Sequence, residues 1–347
     1  MAYTTIDDPA QFFNTVLYTG DGNNGRTVTG VGFQPDFVWL KSRSEAEHHT
    51  LNDSVRGANN QIYSHLAYSN ATDTDRLQSF DSDGFTLGTD VIVNKNTETF
   101  VSWNWKAGTT GSGTTTGSGT GKAYSYSVNT TAGFSIVAYV GNQTAGHTIP
   151  HHLGAKPDVI LVKHRDDGQQ WATQWSPLGA TKVLRFATSN AESDSNTRWN
   201  DTEPTTSVFT LGTEHETNTN DGNHIAYCFT SIKGYSKIGS YKGNGQANDG
   251  TYVYTGFRPA WVMLKRTDDT SQWCIVDNKR PGHNIVLNTL FANLGDVEAT
   301  DLGVNLLSNG FKEDTTNNLG AAGGDYIYMA FAESPFVNSN GVPNNAG

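Results

Sequence analysis

The carboxylates of Asp81 and Asp83 are close enough in sequence to suggest acid–base chemistry. Residues two apart point to the same face of a strand or lie in one turn. Glycoside hydrolysis needs two carboxylates about 5–10 Å apart in a cleft. Asp83-Gly84 is also a common turn sequence, and it comes directly before the apolar Phe85. We therefore predict a turn at this point, with no catalytic role for either aspartate.

Histidines form two local groups, His48-His49 and His147 with His151-His152. A zinc site needs three or four ligands that converge on one point. The spacing of His147 and His151 would place both on one face of a helix, but the intervening Thr-Ile-Pro sequence prevents a helix. We expect His147, His151 and His152 to lie in a surface loop rather than around a metal ion.

Two stretches rich in acidic and amide residues, 192–196 and 218–222, could supply the oxygen ligands that Ca²⁺ prefers. Neither follows the EF-hand loop pattern, and ordinary turns have the same composition. The glycines of residues 20–25 follow a strand but lead into another strand, whereas a dinucleotide-binding loop leads into a helix. The sequence predicts no cofactor and no metal.

Aromatic residues could instead form a platform for sugar rings. Trp103 and Trp105 are two apart and share a strand face, but the matching positions elsewhere in the chain are also apolar, which favours a core strand. Trp199 lies outside that repeated pattern, in a loop rich in Asp, Asn and Thr. It is the candidate for an exposed ligand contact.

Composition indicates the fold class. Of the 347 residues only 16% are charged, 37 are Gly and 11% are aromatic, a mixture typical of short strands joined by tight turns. The net charge of −11 argues against nucleic acid or an anionic membrane as a partner. No apolar run approaches the ~20 residues of a membrane helix, so no membrane insertion is expected. The N-terminal residues do not resemble a secretory signal.

Cys228 and Cys274 are the only cysteines in the chain. Each lies in a predicted strand beside large apolar residues, and the two strands belong to different parts of the chain. We predict two buried thiols that act as small apolar side chains rather than a disulfide.

Six sequence markers recur three times in the same order. The first is Tyr-x-Gly, the second is Pro before an apolar strand that ends in Lys, and the third is an aromatic residue 14 positions after that Pro. An Asn, a Phe strand and a final aromatic residue follow. The eighteen marker positions are Tyr18, Pro35, His49, Asn70, Phe85, Trp105; Tyr139, Pro157, Trp171, Asn190, Phe209, Phe229; and Tyr241, Pro259, Trp273, Asn293, Phe311, Phe331. The pattern predicts an all-β protein of three homologous antiparallel β-sandwich units of jelly-roll or lectin-like type.

The markers place the first unit at 11–108, the second at 133–234 and the third at 235–336. Residues 109–132 are rich in Gly, Thr and Ser, so we expect a flexible linker there. Residues 337–347 are predicted to be a flexible tail. A compact body with three-fold pseudosymmetry and a one-plus-two arrangement are both compatible with this division, and the linker favours the second.

Several segments resemble a known protein family. They are residues 33–41, 52–58, 82–88, 102–108, 234–245 and 255–266, which include the sequences FQPDFVWLK, NDSVRGA and SDGFTLG. In this order they resemble virion-associated proteins of tailed phages of aquatic bacteria, which are described as tail-fibre-like or structural. The resemblance covers about residues 12–336.

The resemblance implies a virion surface component that assembles in the host cytoplasm and is not an enzyme. We expect a tail-fibre-like adhesin that binds a host surface glycan or another virion protein, and a homo-oligomer, with a trimer as the plausible form. A capsid decoration or cement protein that stabilises the head is the alternative. A glycan-degrading tailspike is a weaker one.

Overall fold

The computed structural model describes residues 3–247, 249–281, 283–300, 302–316 and 318–344. Strands account for 43% of the chain and helices for 4%, and all strand pairs are antiparallel. The predicted all-β, sandwich-like class is therefore confirmed. The strands form three large sheets and three three-stranded sheets.

The first segment, residues 9–105, contributes one sheet of each kind. In the large sheet the strand order is β1-β9-β3-β4-β5-β6, and in the small sheet it is β2-β8-β7. The elements are a 3-10 turn (Pro9–Gln11), β1 (Phe13–Thr19), β2 (Arg26–Thr29), β3 (Phe37–Ser42), β4 (Thr50–Asp53), β5 (Asn60–Ile62), β6 (Ala71–Thr72), β7 (Leu77–Asp81), β8 (Gly84–Leu87), α1 (Val91–Asn94) and β9 (Thr99–Trp105).

The second segment, residues 109–229, has a large sheet of order β10-β12-β13-β20-β15-β16-β17-β18 and a small sheet of order β11-β14-β19. The elements are β10 (Thr109–Thr114), β11 (Thr116–Gly117), β12 (Ala123–Asn129), β13 (Phe134–Val140), β14 (His147–Pro150), β15 (Val159–His164), β16 (Ala172–Trp175), β17 (Lys182–Arg185), β18 (Ser193–Asp194), α2 (Asn196–Trp199), β19 (Val208–Leu211), α3 (His215–Asn218) and β20 (Asn223–Phe229).

The third segment, residues 236–335, has a large sheet of order β21-β28-β23-β24-β25 and a small sheet of order β22-β27-β26. The elements are β21 (Ser236–Lys242), β22 (Tyr252–Tyr254), β23 (Phe257–Arg266), β24 (Cys274–Asp277), β25 (Leu290–Phe291), β26 (Val304–Leu307), β27 (Gly310–Glu313) and β28 (Asp325–Pro335). In each segment the first strand of the marker pattern pairs with the last, and the last pairs with the Pro-containing or Pro-preceded strand.

Strand β3 shows why these sequences form continuously apolar strands. Phe37 and Trp39 point to a core that all three segments share, whereas Val38 and Leu40 point to the core between the two sheets of the first segment. Both faces of the strand are covered, so alternation of apolar and polar residues is lost, as the sequence indicated.

The three segments meet at the last aromatic marker. The ring centroids of Trp105 and Phe229 lie 6.4 Å apart, those of Trp105 and Phe331 lie 5.6 Å apart, and those of Phe229 and Phe331 lie 5.9 Å apart. One residue from each segment thus forms a triangle in the shared core. The one-plus-two arrangement is wrong, because the first segment buries its sheet face against the other two.

The tyrosine of the Tyr-x-Gly marker makes the same two contacts in each segment. Each tyrosine hydroxyl donates to a backbone carbonyl of the same segment, 75, 78 and 78 residues later, and each ring stacks on an aromatic side chain of the last strand. The hydroxyl bonds are Tyr18 to Val93 O (2.7 Å), Tyr139 to Thr217 O (2.6 Å) and Tyr241 to Leu319 O (2.8 Å). The stacked rings are Phe100, His224 and Tyr326, at 5.1, 5.0 and 4.9 Å.

Residues 109–114 differ from the predicted flexible linker. They form β10, which pairs with β12, so that Gly111 lies opposite Tyr126 and Gly113 lies opposite Tyr124. Strand β10 is largely solvent-exposed, as its composition suggests. It is nevertheless ordered, because the tyrosine rings of β12 pack directly against the glycine backbone.

The predicted flexible tail also makes contacts in its described part. Val337 and Pro343 form an isolated bridge, and the backbone N–H of Ser339 donates to Asp7 at 2.7 Å. Residues 345–347 lie outside the described residues. Cys228 and Cys274 are both buried free thiols, as predicted.

Candidate functional site

Asp81 and Asp83 have different hydrogen-bond partners. Asp83 accepts hydrogen bonds from the backbone N–H groups of Gly30 (3.2 Å) and Gly32 (2.6 Å), which ties the loop after β2 to the β7–β8 turn. Asp81 accepts from the hydroxyls of Ser79 and Thr86, each at 2.7 Å. Both carboxylates therefore hold the turn that the sequence predicted.

His147, His151 and His152 do not converge on one point. His147 is buried between Asn218 (3.0 Å) and Thr115 (2.7 Å), and His151 bonds the carbonyl of Thr205 at 3.2 Å. His152 stacks on Tyr126 at 3.7 Å. The prediction of surface loops is wrong for His147 and His151, because both side chains are buried and hydrogen-bonded.

The histidines of the first segment lie near the junction with the third. His48 contacts His65 at 2.9 Å, and the His49 ring contacts the carbonyl of Phe291 at 3.1 Å. Burial lowers the pKa of His49 well below its usual value and that of His65 to about 3. Both are held in the neutral form as part of the packing.

The two acidic and amide-rich stretches make hydrogen bonds and ion pairs with other parts of the second segment. Lys182 pairs with Asp194 at 2.9 Å, and the side chain of Asn218 bridges the loops around it. Within the described ranges, no three His, Cys, Asp or Glu side chains are arranged so that they could hold a metal ion.

Trp103 and Trp105 are buried in the shared core, as predicted. Trp199, predicted as an exposed ligand contact, is 0% exposed. The loop before it forms the one-turn helix α2, which directs the indole into the core between the sheets of the second segment, among Phe209, Leu211 and others. The prediction for Trp199 is therefore wrong, since its polar neighbours in sequence cover an apolar side chain.

The exposed aromatic pair of this protein is on β22. Tyr252 and Tyr254 are 45% and 47% exposed, and the intervening Val253 is buried. The two tyrosines therefore share the solvent face of the strand. The Tyr-Val-Tyr alternation is visible in the sequence, but β22 lies outside the six markers, and sequence analysis did not single it out.

Tyr254 borders a groove that we call the tyrosine groove. The groove has a volume of about 390 Å³ and lies between β21, β22, the chain before β21 and the N-terminal residues. The lining residues are Tyr3, Ser231, Lys233, Gly234, Ser236, Lys237, Ile238, Tyr254, Thr255 and Gly256. It combines aromatic, hydroxyl and ammonium groups on one accessible surface.

Polar contacts position the side chains of the tyrosine groove. The hydroxyl of Tyr3 donates to the carbonyl of Gly256 at 3.0 Å and lies 3.0 Å from the hydroxyl of Tyr254. Lys237 Nζ donates to the carbonyl of Tyr254 at 2.7 Å, and Lys233 Nζ lies 4.5 Å from the ring centroid of Tyr3. Burial, followed by the contact with Tyr254, raises the pKa of Tyr3, so its hydroxyl stays protonated at neutral pH.

A larger cleft of about 640 Å³ lies where the β10–β12 hairpin approaches the first segment. Its aromatic residue is Tyr126, but His152 is stacked on this ring at 3.7 Å and an interplanar angle of 14°. Gly111 packs so closely against the ring that a Cβ there would lie 2.6 Å from the hydroxyl oxygen. The ring is thus covered by its own chain, and the tyrosine groove is the better candidate site.

Comparison with known proteins places the chain in a family. The family described as a domain of unknown function (DUF7483) matches residues 8–335. The chain belongs to this family. The DUF7483 match begins just before β1 and ends with β28, so it includes the shared core apart from Ile6 and the tyrosine groove apart from Tyr3. No curated protein and no solved structure matches the chain.

Helices are short throughout the part of the chain that the structure describes. None of them has the length and apolar character needed to cross a lipid bilayer.

Proposed function

We propose that this chain is a non-catalytic binding protein of a virion surface, and that its tyrosine groove contacts a glycan of the host cell. The observation that carries the proposal is the exposure of Tyr252 and Tyr254 on one strand face beside a groove of about 390 Å³. The virion setting follows from the family resemblance of the sequence. Other virion proteins are the expected partners on the particle side, and a homotrimer remains a prediction.

Sugar rings present C–H groups on one face and hydroxyls at their edges. A tyrosine ring packs against the C–H face. The hydroxyl of Tyr252 already donates to Oδ1 of Asn309 at 2.6 Å, so its oxygen is left as an acceptor for a sugar hydroxyl. Residues two apart on a strand are separated by roughly 6.6 Å, so Tyr252 and Tyr254 can contact neighbouring parts of one extended ligand. This arrangement suits a linear saccharide that lies along β22.

The groove is suited to binding rather than to hydrolysis. Its described lining residues include no Asp or Glu, whereas glycosidases use a carboxylate pair. This favours an adhesin over a tailspike enzyme. Incubation of the purified chain with host polysaccharide, followed by an assay for new reducing ends, separates the two, because only the enzyme generates them.

We further infer that the three segments are copies of one sandwich unit, at about 11–108, 133–234 and 235–336. The common strand order, the three buried tyrosine hydroxyl bonds and the aromatic triangle support this inference. The tyrosine groove combines the third unit with Tyr3 and with residues 231–234 at the end of the second unit.

A glycan microarray tests the binding proposal. We expect wild-type protein to bind a defined set of glycans, and Tyr252→Ala and Tyr254→Ala each to reduce that binding at least tenfold. Tyr68→Ala is the matched control, because Tyr68 is 60% exposed but lies in the first segment. Equal binding by all three variants and the wild type would refute the role of the groove.

A capsid decoration protein is the second candidate, favoured by the core that all three segments share. Such a core makes one rigid body, which suits a protein that reinforces a shell. A reconstruction of the particle decides between the two: density at the tail supports the adhesin, and density repeated over the head lattice supports decoration.

A further inference from the structure

We infer that the sugar bound in the tyrosine groove is acidic and that Lys233 and Lys237 recognise its carboxylate. This inference rests on the proposed glycan-binding function and specifies the class of ligand. Its basis is the placement of two ammonium groups, beside two tyrosines, on one groove of a chain whose net charge is −11.

Most solvent-accessible lysines of this protein are neutralised by a carboxylate. Lys95 pairs with Glu45, Lys156 with Glu203, Lys182 with Asp194, Lys242 with Asp325 and Lys312 with Asp249. Among the described residues, neither Lys233 nor Lys237 lies within 4.0 Å of a carboxylate oxygen. An anionic ligand would therefore not have to displace an internal partner.

Each of the two lysines also keeps N–H donors that its own contacts do not use. An ammonium group has three N–H donors. Lys237 uses one of them for the carbonyl of Tyr254 and lies 5.2 Å from the centroid of that ring, and Lys233 contacts the face of the Tyr3 ring. By contrast, the hydroxyl of Ser231 already accepts from Ile238, and that of Ser236 already bonds within its own turn. The lysines are thus the strongest donors that the groove can direct at a ligand.

Desolvation makes a counter-ion favourable at this position. Burial lowers the pKa of Lys237, which means that the charged form is poorly solvated there. A ligand carboxylate would form charge-assisted hydrogen bonds with it. The groove volume of about 390 Å³ falls in the lower part of the usual range for small-molecule sites, about 300–1,000 Å³, which suits one or two sugar rings.

The test is isothermal titration calorimetry of the full chain with a panel of oligosaccharides that contain uronic or sialic acids. Each acidic oligosaccharide is compared with its neutral methyl ester. We expect at least one acid to bind tenfold or more tightly than its ester, with weaker binding at high salt because the attraction is screened. Lys233→Gln and Lys237→Gln should each reduce the affinity for that acid about tenfold.

Lys279→Gln is the matched control, because Lys279 is exposed and likewise lacks an ion pair among the described residues, but does not line the groove. Acids and esters that bind equally, with no effect of the lysine variants, would overturn the inference. If Tyr252→Ala still abolished binding in that case, the glycan-binding proposal would stand alone. If no saccharide bound, both would fail.

Discussion

The hydroxyl of Tyr227 donates a hydrogen bond of 2.7 Å to the carboxylate of Asp53, so the second segment is joined to the first inside the shared core. Arg56 completes the cluster, because it contacts both Asp53 and Tyr227. All three side chains are buried or nearly so. A buried ion pair of this kind is tolerated only because each polar atom has a partner.

The same relationship joins the third segment to the first. The indole N–H of Trp103 donates to Asp277 at 3.0 Å, and Arg280 pairs with that carboxylate. At the remaining junction the position of the aspartate is taken by Trp175, which packs on Trp273 at 5.7 Å. The partner strand of the third segment there carries Met329 in place of Tyr or Trp. The side chain of Met329 has no N–H or O–H to donate, so no carboxylate is needed there and Trp175 makes an apolar contact instead.

Removal of the Tyr227 hydroxyl should weaken the junction between the first and second segments. Tyr227→Phe leaves Asp53 and Arg56 buried with an unmet hydrogen bond, which costs about 1–3 kcal/mol of unfolding free energy. Chemical denaturation of the purified variant measures the loss. Tyr68→Phe, at an exposed site, should change the unfolding free energy by less than about 0.5 kcal/mol. A Tyr227→Phe variant as stable as the control would show that the bond contributes nothing.

The glycine of the Tyr-x-Gly marker should be intolerant of a side chain. A Cβ at Gly141 would lie 2.3 Å from the carbonyl oxygen of Thr219, which is far closer than any non-bonded contact allows. Gly141→Ala should therefore destabilise the protein by about 1–3 kcal/mol, as overpacking does. Gly168→Ala is the control, since the nearest atom to its Cβ is 3.6 Å away. Thermal unfolding of both variants compares them, and equal midpoints would contradict the steric account.

Acid should destabilise the protein through buried histidines. Burial lowers the pKa of His224 to about 3, and the nearby His164, 4.7 Å away, adds to this effect. The unfolded chain takes up the proton near pH 6.5, before the folded protein does. Unfolding is therefore favoured progressively as the pH falls from about 6.5 towards 3.

His224→Phe should remove this contribution and keep the packing. The corresponding ring is Phe100 in the first segment and Tyr326 in the third, and each stacks on its tyrosine as His224 stacks on Tyr139. Between pH 8 and pH 5 the unfolding free energy of the variant should fall by about 2 kcal/mol less than that of the wild type. Urea unfolding at the two pH values measures the difference. An unchanged pH dependence would mean that other groups control the acid response.

The β10–β12 pairing predicts protection from solvent exchange in a segment whose composition suggests flexibility. Backbone amides of residues 109–114 that bond to β12 should exchange much more slowly than those of an open Gly/Ser/Thr chain. Hydrogen–deuterium exchange with mass spectrometry resolves this peptide. Complete exchange within seconds would restore the interpretation as a flexible linker.

Features that depend on local pattern could be predicted from the sequence. The all-β class, the buried thiols, the burial of Trp103 and Trp105 and the turn at Asp83 all follow from composition, alternation and turn chemistry. The recurring Tyr-x-Gly is visible as a sequence pattern, but the reason for its glycine is not, because a Cβ there would meet the carbonyl of a residue far along the chain: Lys95, Thr219 or Ala321.

Features that depend on how segments pack could not be predicted in this way. Trp199 is buried because a helical turn directs its indole inwards, although the polar residues beside it in the sequence suggest an exposed loop. Order in residues 109–114 comes from tyrosines on another strand. The tyrosine groove brings together residue 3, residues 231–238 and residues 254–256, and no sequence spacing reports that juxtaposition.

Differential scanning calorimetry of the full chain tests most directly whether the three segments form one body. A shared core predicts a single transition with a calorimetric enthalpy on the order of 240 kcal/mol near 60 °C for a chain of this length, equal to the van't Hoff enthalpy. Trp105→Ala, which removes one corner of the aromatic triangle, should lower the midpoint of that single transition. Two or three separate transitions, of which Trp105→Ala shifts only the one that belongs to the first segment, would contradict the account.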